Sequence, residues 1–279
     1  LVKNFGCVSC PIRCGRVVNI KGHEVKGPEY EVLCLMGSNL MIYDLQAIIN
    51  WNYEIDLLGM DTISTSNTIG LAFHLYEKGI LTKDDTGGIE LKWGDVDAIE
   101  ALVRMTGSRE GLGDLLALGS KRFGAHFGAE EEAVQVNGLE VAYHDPRGVS
   151  GMALSYATSP RGACHNQSDY FFVDWGHTND QLGIDFYERQ AQAEKAANVA
   201  RHQDWRTVFN AVVMCIFANV EPSEQVKLIN AACGLDWSVE DMLTFGERSW
   251  NLKRAINIRL GLTAQNDKLP KALMTHMPD

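Results

Sequence analysis

No stretch of this sequence stays apolar for long. The most apolar segment, Val208 to Val220, is interrupted by Asn210 and Asn219. It falls short of the ~20 residues that span a bilayer, so it is expected as a buried helix, and a membrane span is not expected. Basic residues are also scarce: 25 Lys and Arg stand against 36 Asp and Glu, a formal charge of −11. That balance argues against a general nucleic-acid or anionic-membrane surface. Low-complexity tracts and evident linkers are missing as well. The chain opens at Leu1 without Met and runs almost directly into a cysteine cluster, which reads as an interior segment of a longer protein.

Disulfide scaffolding is excluded next. The seven cysteines, at 7, 10, 14, 34, 164, 215 and 233, are odd in number and clustered only at the start. This pattern points to a reducing, cytoplasmic compartment and a metal site. What is there is "CVSCPIRC", Cys7, Cys10 and Cys14 within eight residues. Cys-x2-Cys-x3-Cys brings three soft thiolates to one point, which suits three irons of a cubane cluster with the fourth iron held by a distant ligand. A structural zinc site is the alternative, but zinc sites tend to come as two short pairs and no second pair is present. The fourth ligand is one of Cys34, Cys164, Cys215 and Cys233. Spacing alone does not choose among them, and each also fits a small buried hydrophobe.

Helical periodicity dominates the rest. Helices are expected from Ser38 to about Asn50, from Asp61 to a glycine stop at Gly79, from Asp95 to Met105, from Gly113 to Phe123 and from Gln181 to Arg201. Two more run from Ser223 to Cys233, stopped by Gly234, and from Ser238 to Leu260, stopped by Gly261, the last opened by the capping sequence Ser238-Val-Glu-Asp241. Strands are expected only at Arg16 to Ile20 and Val134 to Val141. The fold class is therefore mainly α, two helical subdomains sharing a buried cofactor site, divided as 1–150 and 151–279.

Five elements then occur in order: "CVSCPIRC"; "GPEYE" at Gly27 to Glu31; "DLLGMDTIST" at Asp56 to Thr65; "DPRGVSGMALSYATSPRGACH" at Asp145 to His165; and "NAVVMCIF" at Asn210 to Phe217. In these the chain resembles the tungsten-containing aldehyde ferredoxin oxidoreductase family, over its two C-terminal, mostly helical domains.

The resemblance implies a tungsten or molybdenum ion held by two pterins beside one four-iron, four-sulfur cluster, with magnesium as an accompanying cation. It implies oxidation of a small aldehyde to a carboxylic acid, with electrons leaving through the cluster to ferredoxin or a ferredoxin-like subunit. Other implied partners are a pterin-binding N-terminal domain outside these residues and a second copy of the chain in a homodimer.

In the family two Asp-x-x-Gly-x-(Asp or Cys) segments each embrace one pterin. The first is matched in full by Asp56, Gly59 and Asp61. Carboxylates accept from a pterin's amino and ring N–H groups, and glycine permits close backbone approach. Asp61 alone reads equally as an ordinary helix N-cap. The second segment, Asn210-Ala-Val-Val213-Met214-Cys215, departs from the pattern with Asn for Asp and Val for Gly; by resemblance Cys215 is the fourth cluster ligand. Glu31 and His165 match the family's active-site carboxylate and imidazole, suited to general base and proton donor respectively. Taken singly, each reads as a solvated strand-edge charge and a satisfied core histidine. The departures at Asn210 and Val213 keep a second reading open, an aromatic acyl-coenzyme A reductase of the benzoyl type, and the zinc alternative for the cysteine cluster gives a third, a zinc-stabilised helical module without catalysis.

Overall fold

The computed structural model describes residues 1–191 and 193–275. Two compact units divide the chain: Leu1–Tyr143 with Pro270–Ala272, and His144–Leu269 with the chain from Leu273. The architecture is mainly α, as expected, with sheet confined to short hairpins.

The first unit opens with a three-stranded antiparallel sheet, β1 (Lys3–Phe5), β2 (Gly15–Ile20) and β3 (His23–Lys26), in the order β1-β2-β3. The β1–β2 register pairs Phe5 with Gly15, so residues 6–14 form one closed loop carrying all three clustered cysteines. A single turn, α1 (Tyr30–Val32), then widens into a π-helical turn at Leu33–Gly37. Helices α2 (Leu45–Leu57), α3 (Thr62–Glu77), α4 (Val96–Ser108), α5 (Leu112–Leu116) and α6 (Ser120–His126) follow. A hairpin, β4 (Gln135–Val136) and β5 (Leu139–Glu140), completes the unit.

Helix α3 runs through the middle of this unit. Nine of its residues are buried, from Thr65 to Leu75, in a core with Trp51, Ile55, Ile99, Leu102 and Phe123. Its first half, rich in Thr and Ser, is a poor helix former. The cost is offset by back-bonding: Ser66 Oγ donates to Thr62 O at 2.6 Å and Thr68 Oγ1 to Ser64 O at 2.7 Å, so these two hydroxyls enter the core satisfied.

Helices α7 (Gly151–Thr158), α8 (Phe171–Asp174), α9 (Ala196–Ala211), α10 (Pro222–Cys233) and α11 (Val239–Arg259) build the second unit. Helices α9 and α11 pack so closely that a Cβ at Gly246 would lie 2.1 Å from Asp204 O. Only glycine permits that approach.

The interior of α9 is polar, and three of its side chains take partners from outside the helix. Arg206 forks onto Asp169 at 2.5 and 2.9 Å, Ser168 Oγ meets His202 Nδ1 at 2.8 Å, and Trp205 Nε1 donates to Gln225 Oε1 at 2.9 Å. Burial, then the Arg206 charge, hold the His202 imidazole well below its usual range, so it is neutral. Lys195 and Asp174, each with a side chain 1% exposed, form a second internal ion pair at 2.5 Å.

Several expectations about elements need correction. The helix expected at Ser38–Asn50 starts at Leu45 instead. Asp44 outcompetes Ser38 as cap, accepting from Gln46 N at 2.9 Å and Ala47 N at 3.2 Å, and Met41 in the left-handed region breaks the chain between them. Gly113–Phe123 is two helices, parted at Gly119 with φ +82°. Of the expected helix Gln181–Arg201, in which Gln192 lies outside the described residues, the described part is α-helical from Ala196, within α9, and holds 3-10 turns at Asp180–Leu182 and Ala193–Lys195. The apolar run Val208–Val220 leaves the helix at Ala211, and Val213 is 91% exposed. Val134–Val141 is a hairpin and not one strand, because Asn137 and Gly138, φ +53° and +89°, form the left-handed pair that two-residue turns require. Among the described residues no helix is long and apolar enough to cross a membrane.

Candidate functional site

All seven cysteines are free thiols. Cys7 and Cys14 are exposed and Cys10 is half-buried, on the loop closed by the Phe5–Gly15 pair. A turn bonds Cys10 N to Cys7 O at 3.0 Å, and Ser9 and Arg13 take left-handed conformations at φ +61° and +49°. Arg16 Nη1 donates to the carbonyls of Arg13, Cys14 and Gly15 at 3.3, 2.9 and 3.0 Å, which ties the third cysteine's backbone to β2. Three thiols on one short braced loop fit a thiolate-bound iron–sulfur cluster.

The segment Asp56–Asp61 joins α2 to α3. Gly59 has φ +68°, and a Cβ there would meet nothing within 4 Å. Its N–H returns to Asp56 O at 3.2 Å and Met60 N–H to Ile55 O at 3.1 Å, the paired bonds of a Schellman stop. Asp61 then caps α3, its carboxylate accepting from Ser64 N at 2.7 Å.

The second segment repeats this geometry at the end of α9. Val213 N–H returns to Asn210 O at 3.4 Å, Met214 N–H to Phe209 O at 2.9 Å, and Val213 has φ +56°. Cys215, at φ −67° and ψ 132°, has the extended backbone of Asp61, at −80° and 128°. Asn210 uses its amide to donate to Arg206 O at 3.3 Å. Cys215 is exposed, at the start of a short 3-10 turn over Ile216–Ala218.

Beside the first segment lies a cleft of ≈ 500 Å³, lined by Gly59, Asp61, Ser64, Gly119 and Glu140 among others. Glu140, 3% exposed, accepts from Ser64 Oγ and from Ser120 N, each at 2.7 Å. The open left-handed glycine and the carboxylates along this cleft fit an N–H-bearing ring. Glu140 and Ser64 were not singled out from sequence; the Asn-Gly turn that places Glu140 was the signal available.

Glu31 lies in α1. Its Oε2 accepts from Tyr143 N at 2.8 Å, while the neighbouring Tyr30 hydroxyl donates to Tyr143 O at 3.2 Å. Consecutive residues of α1 thus grip both sides of Tyr143. Burial, then contact with Cys34, push the Tyr30 phenol up well beyond its ordinary value, so it remains a donor.

His165, in the second unit, opens a 3-10 turn after the buried Cys164. Its ring centroid is 5.5 Å from that of His144, which stacks on Phe171 at 4.3 Å and 11°. The loop preceding it is pinned by Asn257 Nδ2 donating to Pro160 O at 2.7 Å. Arg147 closes onto Asp145 through bonds of 2.6 to 3.1 Å, a local pair that shapes its own loop.

The family model for aldehyde ferredoxin oxidoreductase, domains 2 and 3, matches residues 1–279. The tungsten-containing aldehyde ferredoxin oxidoreductases of Thermococcus kodakarensis and Pyrococcus furiosus are each 37% identical over 287 residues, covering 100% of this chain and 46% of the relative. An aliphatic sulfonate oxidoreductase, WOR-like subunit, of Pyrococcus furiosus is 35% identical over 179 residues, covering 60% of this chain and 28% of that one. Among solved structures, the active site complex BamBC of benzoyl coenzyme A reductase with 1,5 dienoyl-CoA superimposes with a TM-score of 0.79 at 20% identity, covering 99% of this chain and 48% of that chain. The chain thus spans about half the length of the curated relatives it matches, and it belongs to the aldehyde ferredoxin oxidoreductase family of oxidoreductases, as its domains 2 and 3.

Proposed function

We propose that these residues form the C-terminal part of an enzyme that oxidises a small aldehyde to a carboxylic acid at a tungsten bis-pterin centre, with electrons passing through a four-iron, four-sulfur cluster to ferredoxin. The observation that carries this reading is the match of the whole chain to tungsten-containing aldehyde ferredoxin oxidoreductases at 37% identity. The free thiols on the braced hairpin loop and the acceptor-lined cleft support it.

In this reading Cys7, Cys10, Cys14 and Cys215 hold the cluster. Asp56, Gly59 and Asp61 hold one pterin, and Asn210 and Met214 contact the other. When bound, the metal centre supplies the two-electron oxidation and the cluster a one-electron exit, chemistry that belongs to the cofactors.

The chain's own residues supply positioning and proton transfer. Glu31 serves as general base: Tyr143 N–H donates to Oε2 at 2.8 Å, which aims the carboxylate. His165 donates a hydrogen bond to the substrate oxygen as charge develops there, a task suited to an imidazole. Phe171 holds the neighbouring His144 ring by stacking and so limits the movement of the imidazole pair.

A second reading, reduction of an aromatic acyl-coenzyme A thioester, is favoured by the departures at Asn210 and Val213. Anaerobic purification of the full-length protein tests both. Aldehyde oxidation is expected in a preparation holding about four iron atoms per chain and tungsten or molybdenum. Turnover of benzoyl thioesters but not benzaldehydes establishes the second reading, and zinc alone in a ratio near one overturns both.

A further inference from the structure

One buried acid in the first unit has no part in the family motif and no assigned role. Glu140 follows the Asn137-Gly138 turn and lies within the cleft lining, 3% exposed. Its two oxygens are held from different directions, Oε1 by Ser120 N and Oε2 by Ser64 Oγ, each at 2.7 Å. Ser64 also holds the motif's terminal acid, its backbone N donating to Asp61 Oδ2 at 2.7 Å. One residue on the first turn of α3 therefore orients two carboxylates from two separate elements toward the same ≈ 500 Å³ cleft.

The glycines among the lining permit a flat ring to approach. A Cβ at Gly59 would project into open space, and one at Gly119 would come within 3.2 Å of Glu140 Oε1. Gly119 thus keeps that oxygen's flank uncovered. Each carboxylate oxygen has more than one lone pair, so the two fixed bonds do not exhaust Glu140 as an acceptor.

We infer that Glu140 is a second ring-binding carboxylate of this cleft, acting with Asp61 to accept hydrogen bonds from the amino and ring N–H groups of an aminopyrimidinone ring such as a pterin's. Ser64 is the positioning residue that sets the two acids in register. This rests on the functional reading above, and it extends the pterin contacts beyond the Asp-x-x-Gly-x-Asp segment to a hairpin some eighty residues downstream. Such a ring presents adjacent donors along one edge, and two acceptors held by a common anchor match that edge better than one.

The test uses the full-length protein, purified anaerobically as wild type, Glu140→Gln and Ser64→Ala. Glutamine keeps an oxygen for Ser120 N–H and an amide that can donate to Ser64 Oγ, so the fold is retained while an acceptor facing the ring is lost. Pterin retained per chain is followed over time after gel filtration, as the fluorescent oxidation product. The melting temperature of the tungsten-free protein is measured in parallel.

Glu140→Gln is expected to release pterin at least tenfold faster, with a melting temperature within ~2 °C of wild type. Ser64→Ala is expected to release it faster than wild type but more slowly than Glu140→Gln. Pterin-loaded wild type with wild-type release from Glu140→Gln overturns this inference alone. So does faster release that tracks a fall in melting temperature across both variants, which marks a purely structural acid. Wild-type protein without pterin overturns the functional reading and this inference together.

Discussion

Val213 holds the backbone conformation of Gly59. Their φ angles are +56° and +68°, and each sits at the same place in a Schellman stop, with an extended residue two positions on, Cys215 in one case and Asp61 in the other. A β-branched residue in the left-handed region is strained by about 1–2 kcal/mol, and Val213 is 91% exposed, so packing does not repay it. The turn is maintained by its hydrogen bonds although the glycine that ordinarily permits it is gone.

Val213→Gly is therefore expected to stabilise the protein by about 1 kcal/mol, allowing for glycine's greater entropy in the unfolded chain. Gly59→Val should destabilise it by a similar or larger amount. Denaturant titration of both variants checks the pair, and a destabilised Val213→Gly would contradict the assigned strain.

Asp204 gives a pH signature. Burial, then repulsion from Glu247, push its carboxyl up to about 7, against the pull of Arg201. An acid raised above its unfolded value favours folding most below that value, about 4. Its contribution declines as pH rises from there to about 7, where the folded protein must bear the charge. Asp204→Asn is expected to flatten the stability–pH profile over that interval and to raise stability at pH 8 by about 1–2 kcal/mol, because half-burial screens part of the shift. Melting curves from pH 4 to 8 measure it.

Lys195 and Asp174 are both 1% exposed at the side chain, and Asp174 also accepts from Gly151 N at 3.1 Å at the start of α7. Lys195→Met strands a buried carboxylate and should cost about 3–5 kcal/mol, while the double variant with Asp174→Leu should recover part of that loss. A double-mutant cycle in urea separates the two. A single substitution costing under 1 kcal/mol would show that the pair is not buried in solution.

Cys215 is exposed and uncrosslinked, on a turn whose shape does not depend on its side chain. Cys215→Ala in the full-length protein is expected to lower iron and the visible charge-transfer absorbance substantially, with the secondary structure by circular dichroism unchanged. Cys233→Ala, at the exposed end of α10, should leave iron at the wild-type level. Equal iron content in both variants would remove Cys215 from the ligand set.

Glu31→Gln keeps the bond from Tyr143 N but cannot take a proton. Aldehyde oxidation should fall by about two to four orders of magnitude in kcat, with iron, tungsten and pterin contents unchanged. Tyr30→Phe removes the hydroxyl that grips Tyr143 O; it should reduce kcat by much less than Glu31→Gln. Retention of full activity by Glu31→Gln would exclude it as base.

The sequence by itself determined what four or five neighbouring residues can settle. Asp61 and Asp95 cap α3 and α4, Ser238 and Asp241 form the box that opens α11, and Gly234 terminates α10, because each bond closes within one turn of helix. The cysteine loop was legible for the same reason, and the order of five motifs identified the family. Tertiary structure decided the rest.

The polar residues of α9 are buried because their partners come from elsewhere: Asp169 for Arg206, Ser168 for His202, Gln225 for Trp205. No local pattern distinguishes such a helix from a solvated one. The start of α2 turned on a competition between Ser38 and Asp44, two caps of similar strength, which Met41's left-handed break resolved in favour of Asp44. Glu140 reaches Ser64 across 76 residues of chain. Its burial beside the cleft follows from where the hairpin docks on α3, a fact of packing that residue type and spacing do not contain.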